Sequence, residues 1–170
     1  MTTTATAPDP RPDLLDLEPD AALSVLRAWF AERGEPAYRA TQVLGRLWQK
    51  PVADFSEMSE LPKALRDALG EAFRLTNLEL ATQQSSKDGT RKFLFRLEDG
   101  QFIETVAIPD GDRLTFCISS QAGCALQCAF CATGAMGFQR NLRPSEIAGQ
   151  VRALRMLEPP LIPTNIVFMG

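Results

Sequence analysis

Cys124, Cys128 and Cys131 stand in C-x3-C-x2-C spacing, with Phe130 directly before the last of them, and nothing else in the 170-residue chain is as sharply chemical. Three thiolates on eight consecutive residues can meet at one inorganic centre if the backbone curls around it, and Gly123, Ala125 and Ala129 keep that curl small. Thiolates ligate iron–sulfur clusters and structural zinc. The fourth ligand separates the two, because structural zinc is closed by four protein groups whereas a cubane cluster can leave one iron for substrate. The chain has no histidine, so an all-protein zinc site would have to recruit Cys117 across a six-residue gap. A disulfide fits poorly, since no signal peptide is evident and the chain reads as cytoplasmic, where thiols stay reduced. The spacing points to a three-cysteine iron–sulfur site, with zinc and inert buried thiols as the alternatives.

The C-x3-C-x-F-C run resembles the cluster loop of the radical S-adenosylmethionine (SAM) enzymes. Together with Gly137-Phe138-Gln139-Arg140-Asn141-Leu142, and with blocks at Arg66 to Leu69, Gly89 to Pro109 and Asn165 to Gly170, it is similar to one branch of them. That branch is the dual-specificity ribosomal-RNA and transfer-RNA adenine-C2 methyltransferases, and the similarity runs from about Glu35 onward.

The resemblance implies a [4Fe-4S] cluster on Cys124, Cys128 and Cys131, with SAM on the remaining iron and Phe130 packed near the SAM adenine. It implies reductive cleavage of SAM to a 5′-deoxyadenosyl radical, which suits an electron-poor adenine carbon that simple attack on SAM cannot methylate. One SAM would first methylate a cysteine near the carboxyl terminus of these enzymes. Cys117 matches the cysteine that resolves the later RNA–protein adduct, and Glu104 lies in the segment carrying the acid proposed as proton acceptor. The methyl-carrying cysteine has no counterpart among the four cysteines here, so this chain alone is not expected to turn over. The implied partners are 23S rRNA, tRNA and a reducing protein such as flavodoxin, for a cytoplasmic monomer. A related family methylates carbon 8 of the same adenine, although the Cys-Ala-Thr-Gly run looks more like the carbon-2 branch. The alternative function is a non-catalytic metal-binding module, zinc or iron–sulfur, that binds RNA or protein.

Without the resemblance these residues have plainer readings. A lone acid such as Glu104 on a strand is usually solvated. Cys117 would be a small buried hydrophobe, and Phe130 would pack the loop.

The elements that position these groups follow from periodicity. Residues 1–17 are rich in Thr, Ala, Pro and Asp without a period and read as a disordered leader. Residues 18–75 read as a helical accessory module of three helices, starting near Glu18-Pro19, after Pro36 and at Pro62. Trp29, Tyr38 and Trp48 are assigned to its core, while Arg39, Arg46, Lys63 and Arg66 fall on polar faces. Residues 76–110 read as an antiparallel meander whose Asp88-Gly89 and Asp99-Gly100 junctions are strong hairpin signals. Phe102, Glu104, Val106 and Ile108 share one face of its last strand, which sets Glu104 among apolar neighbours and would raise its pKa if that face were half buried. Residues 111–170 read as strand, cysteine loop, helix from Pro144, and a second buried strand at 165–169, the first βαβ unit of an α/β barrel of TIM type. One such unit leaves edges exposed, so the chain reads as the front of a barrel that stops before closure. Arg140, Arg143, Arg152 and Arg155 are read as solvated, with RNA phosphates as the further option.

Composition excludes little. A 45% hydrophobic content suits a globular protein, and no apolar run approaches a membrane span. The net charge of −3 is concentrated in the first twenty residues, leaving the other 150 near neutral, so RNA binding would need a local patch.

Overall fold

The computed structural model describes residues 9–126, 128–129, 131–135 and 137–169. The chain divides into two compact units at Thr76 and Asn77.

The first unit contains helices α1 (Pro19–Ala31), α2 (Tyr38–Trp48) and α3 (Lys63–Ala72). Proline opens α1 at its first turn and precedes α3 as the cap, where the missing N–H costs nothing. Leu26, Trp29 and Phe30 of α1, Val43 and Leu47 of α2, and Leu65 and Leu69 of α3 form one core. Trp29 meets Phe30 and Phe73 edge-on, with ring centroids 5.0 and 6.0 Å apart. Between α2 and α3, Asp54 and Glu57 form a capping box that turns the chain so that Phe55 and Met58 enter the same core.

Two expectations for this unit are corrected. The leader does not extend to residue 17, because Leu14 and Leu15 are fully buried. Asp13 caps their turn by accepting from the Leu15 N–H at 2.9 Å, its carboxylate is bonded to the Thr76 hydroxyl, and the backbone of residues 12–14 is laced to Arg74. Two leucines and one capping acid are too few for a periodic signal, yet they suffice to fix the segment. Tyr38 is not in the core. It is 55% exposed, at the first position of α2, with the Arg39 guanidinium 5.2 Å from its ring centroid.

The second unit is built on a five-stranded sheet of β1 (Glu79–Ser85), β2 (Arg91–Arg96), β3 (Phe102–Asp110), β4 (Arg113–Ser119) and β7 (Asn165–Met169), in that spatial order. The first four strands are antiparallel neighbours, and β7 lies parallel to β4. Gly89 and Gly100 adopt φ of +86° and +84°, the left-handed geometry the two hairpin turns require. The meander and the βαβ unit, expected as separate pieces meeting at residue 110, share this one sheet, because β3 pairs directly with β4. Helix α5 (Pro144–Arg155) makes the crossover from β4 to β7.

Strand alternation gives the sheet two different faces. Phe93, Phe95, Ile103, Ala107, Phe116 and Ile118 pack with Leu142 and Leu154 in the core. The opposite face carries Phe102, Glu104, Val106, Ile108, Cys117 and Val167, and several of these are exposed. Strand β7, expected to be buried, is an edge strand with Phe168 66% exposed.

Candidate cluster loop and adjoining cleft

The cysteine loop hangs from the carboxyl end of β4. After Ser119 the chain forms a short strand β5 (Gln121–Gly123), runs through the cysteines and the single-turn helix α4 (Ala132–Ala135), and returns as β6 (Phe138–Asn141) antiparallel to β5. This hairpin closes the loop at its neck. Sequence periodicity missed it, since three- and four-residue strands are too short to alternate visibly; the two flanking glycines were the available signal. Gly123 and Gly137 adopt φ of +77° and +76°, and the Cys124 N–H donates to the Gly137 carbonyl at 3.2 Å. The Gln121 side chain braces the neck, donating to Asn141 Oδ1 at 3.0 Å and accepting from the Ala125 N–H at 3.2 Å.

Within the loop Cys124 is buried, Cys128 and Cys131 are partly buried, and no disulfide joins any of the four cysteines. The Cys131 N–H donates to the Cys128 carbonyl at 3.0 Å, so these two ligand candidates share one turn. Among the described residues no three metal-ligating side chains are already gathered at one point. The donor chemistry nonetheless fits an iron–sulfur cluster: three soft thiols on one neck-closed loop, in a chain without histidine. Phe130 lies outside the described residues.

Glu104 and Cys117 lie on the same open face of the sheet. Cys117 stands opposite Val106 in the β3–β4 register, and Glu104 is two residues farther along β3 toward the loop. Burial raises the Cys117 thiol pKa above its ordinary value. Glu104 is not enclosed by the apolar residues that share its face. Its side chain is 42% exposed, and a carboxylate oxygen sits 2.9 Å from Lys92 Nζ on β2. The face that alternation marked as apolar is the open one, and the buried face carries Ile103, Thr105 and Ala107 instead. Lys92 was not anticipated as a neighbour, because only the β2–β3 register brings it there. Glu104, Ser119, Gln121, Gly123, Gly137 and Gln139 line a cleft of about 340 Å³, so the acid and the neck of the cysteine loop border one cavity.

A charged network fastens the returning strand. Arg140 on β6 makes a two-pronged contact with Glu146 at 2.8 Å for each bond, and its Nε donates to Asp99 Oδ2 at 2.7 Å. Arg143 reaches Glu98 at 3.0 Å, and its backbone N–H donates to Glu146 at 2.8 Å at the start of α5. Burial would by itself raise the Glu146 carboxyl, but the bonds from Arg140 and Arg143 outweigh it and hold the pKa below its ordinary value. The Arg140 hydrogen bond likewise holds Asp99 low, and Glu146 and then Asp99 raise the guanidinium. Arg140 and Arg143 are therefore internally paired, and Arg152 is buried; none of the three is the solvated surface arginine that its sequence position suggested.

Residues 13–75 match the family described as the ribosomal RNA large subunit methyltransferase N-terminal domain. The chain is 77% identical over 159 residues to the probable dual-specificity RNA methyltransferase RlmN of Gemmatimonas aurantiaca, covering 94% of this chain and 44% of that protein. It is 48% identical over 170 residues to the dual-specificity RNA methyltransferase RlmN of an Anaeromyxobacter species, covering 96% of this chain and 44% of that one. The crystal structure of a radical SAM methyltransferase from Sphaerobacter thermophilus is 40% identical and superposes with a TM-score of 0.78, over 91% of this chain and 45% of that chain. The chain thus spans somewhat less than half the length of the relatives it matches. Shared sequence across both units and a shared fold place this chain in the RlmN family of radical SAM methyltransferases, to whose amino-terminal portion it corresponds.

Proposed function

We propose that this chain provides the cluster loop and proton-accepting face of a radical SAM enzyme that methylates carbon 2 of adenine in 23S rRNA and tRNA. The observation that carries this reading is the cysteine loop, held at its neck beside the cleft that contains Glu104. Cys124, Cys128 and Cys131 would hold a [4Fe-4S] cluster, which supplies the electron that cleaves SAM. By the resemblance alone, Phe130, between two of these cysteines in sequence, would serve SAM binding.

The cleft receives the target base, and Glu104 accepts the proton lost from its carbon 2. Lys92 holds the carboxylate in place by its ion pair. Cys117 supplies the thiol that resolves the RNA adduct, on the same face of the sheet and directly opposite Val106 on the neighbouring strand. The parallel β4–α5–β7 unit is the opening of a barrel, and the helical module handles RNA. A reducing protein such as flavodoxin delivers the electron in the cytoplasm to a monomeric enzyme. No helix among the described residues is long and apolar enough to cross a membrane.

The test is anaerobic reconstitution of the chain with iron and sulfide. About four irons per chain, a broad absorbance bleached by dithionite, and loss of both in Cys124→Ala are the expected results. One tightly bound zinc with no such chromophore would sink this reading and leave a metal-binding interaction module.

A further inference from the structure

The cysteine loop leaves the sheet at Ser119 and returns along β6, and both ends are fastened to the same turn of α5. Gln150 is 0% exposed and Glu146, four residues before it, is 1% exposed. Residues at that spacing lie one above the other on a helix face. Regular pairing of β3 with β4 runs only as far as Thr105 and Ile118. Beyond it the Gln150 amide replaces the missing strand partner. Its Oε1 accepts from the Ser119 N–H and from the Thr105 hydroxyl, each at 2.8 Å, and its Nε2 donates to the Ser119 carbonyl at 2.8 Å. The Ser119 hydroxyl then donates to the backbone carbonyl of Glu104 at 2.8 Å. Glu146 holds the other end through its two-pronged contact with Arg140 of β6.

We propose that Glu146 and Gln150 are a positioning pair that sets the span of the cysteine loop. Gln150 anchors the strand from which the loop departs, Glu146 anchors the strand on which it returns, and Gln150 also ties the backbone of Glu104 to the same point through Ser119. A buried amide whose donor and acceptor both serve one backbone residue cannot be replaced by an apolar side chain without leaving that residue's N–H and C=O unpaired. The consequence for chemistry rests on the reading of the loop as a cluster site. The clamp itself belongs to the iron-free protein.

The experiment measures alkylation rates of the individual cysteines in the iron-free 170-residue chain by mass spectrometry. Cys124 reports on the loop, whereas Cys117, in the middle of β4, reports on the sheet. In Gln150→Met and in Glu146→Gln, Cys124 is expected to react about tenfold faster or more while Cys117 keeps its rate, as local opening requires. Leu154→Ala removes a fully buried side chain farther along α5 and is expected to speed both cysteines together. Gln150→Glu keeps an acceptor for Ser119 but not the donor, so its Cys124 rate should fall between wild type and Gln150→Met, and this variant carries the test if Gln150→Met does not fold. Equal acceleration of both cysteines in the clamp variants, or no change at Cys124, would overturn the proposal. Failure of the wild-type chain to take up iron overturns the cluster reading alone, because the alkylation pattern is scored without metal.

Discussion

A β-carbon built on Gly123 would stand 1.8 Å from the carbonyl oxygen of Gly137, so the two ends of the cysteine loop touch backbone to backbone. No side chain fits there, and φ of +77° disfavours any non-glycine residue independently. Gly123→Ala is expected to cost about 2 kcal/mol or more in denaturant unfolding, because strain and a backbone clash add. Gly137→Ala meets open space and carries only the positive-φ cost of about 1–2 kcal/mol. A smaller loss at Gly123 than at Gly137 would contradict the neck.

Arg140 and Glu146 make stability pH-dependent. The Glu146 carboxyl is depressed in the folded chain, so its contribution is present above the ordinary carboxyl value of 4.5 and is lost as pH falls through the lower folded value. Arg140→Met leaves a buried carboxylate without its main partner and should cost about 3 kcal/mol near neutral pH. In that variant the Glu146 pKa rises, and the acid limb of the stability curve moves to higher pH. Chemical denaturation at a series of pH values measures both effects.

Glu104 and Lys92 form an ion pair open to solvent, and such pairs contribute roughly 0–1 kcal/mol. Glu104→Gln should therefore leave stability within about 1 kcal/mol of wild type and iron uptake unchanged. In catalytically competent protein it should abolish methyl transfer while SAM cleavage persists. Loss of iron in this variant would count against the proposed proton-accepting role of Glu104 and give it a structural one.

The burial of Leu14 predicts a cost at a position where the sequence suggested none. Leu14→Ala should destabilise the helical unit by about 2–5 kcal/mol, the range for fully buried leucines. An unchanged melting curve would show that the segment does not contribute to that core.

Cys117 should alkylate slowly at neutral pH, because burial holds its thiol protonated. Its rate should climb with pH with a midpoint above the ordinary thiol value of 9.0. A midpoint below that value would mean that a cation faces the sulfur.

Much of this protein was legible in the residues themselves, wherever the signal is local. Proline in the first turn of α1 and just before α3, Asp-Gly at two hairpins and the 3.6-residue stripes fix element type and approximate bounds, because each acts through backbone geometry within a few residues. The cysteine spacing likewise puts three thiols on one loop, since eight consecutive residues cannot carry them far apart. What alternation could not decide was which face of β3 meets the core: it distinguishes two faces but does not say which one α5 covers. That choice left Glu104 beside solvent and Lys92. The burial of Leu14, the pairing of Arg140 with Glu146 and Asp99, and the placing of Gln150 under Ser119 join residues distant in sequence, or depend on register between strands. Only tertiary packing brings such partners within bonding distance, because the energy that selects them exists once the sheet and α5 have come together.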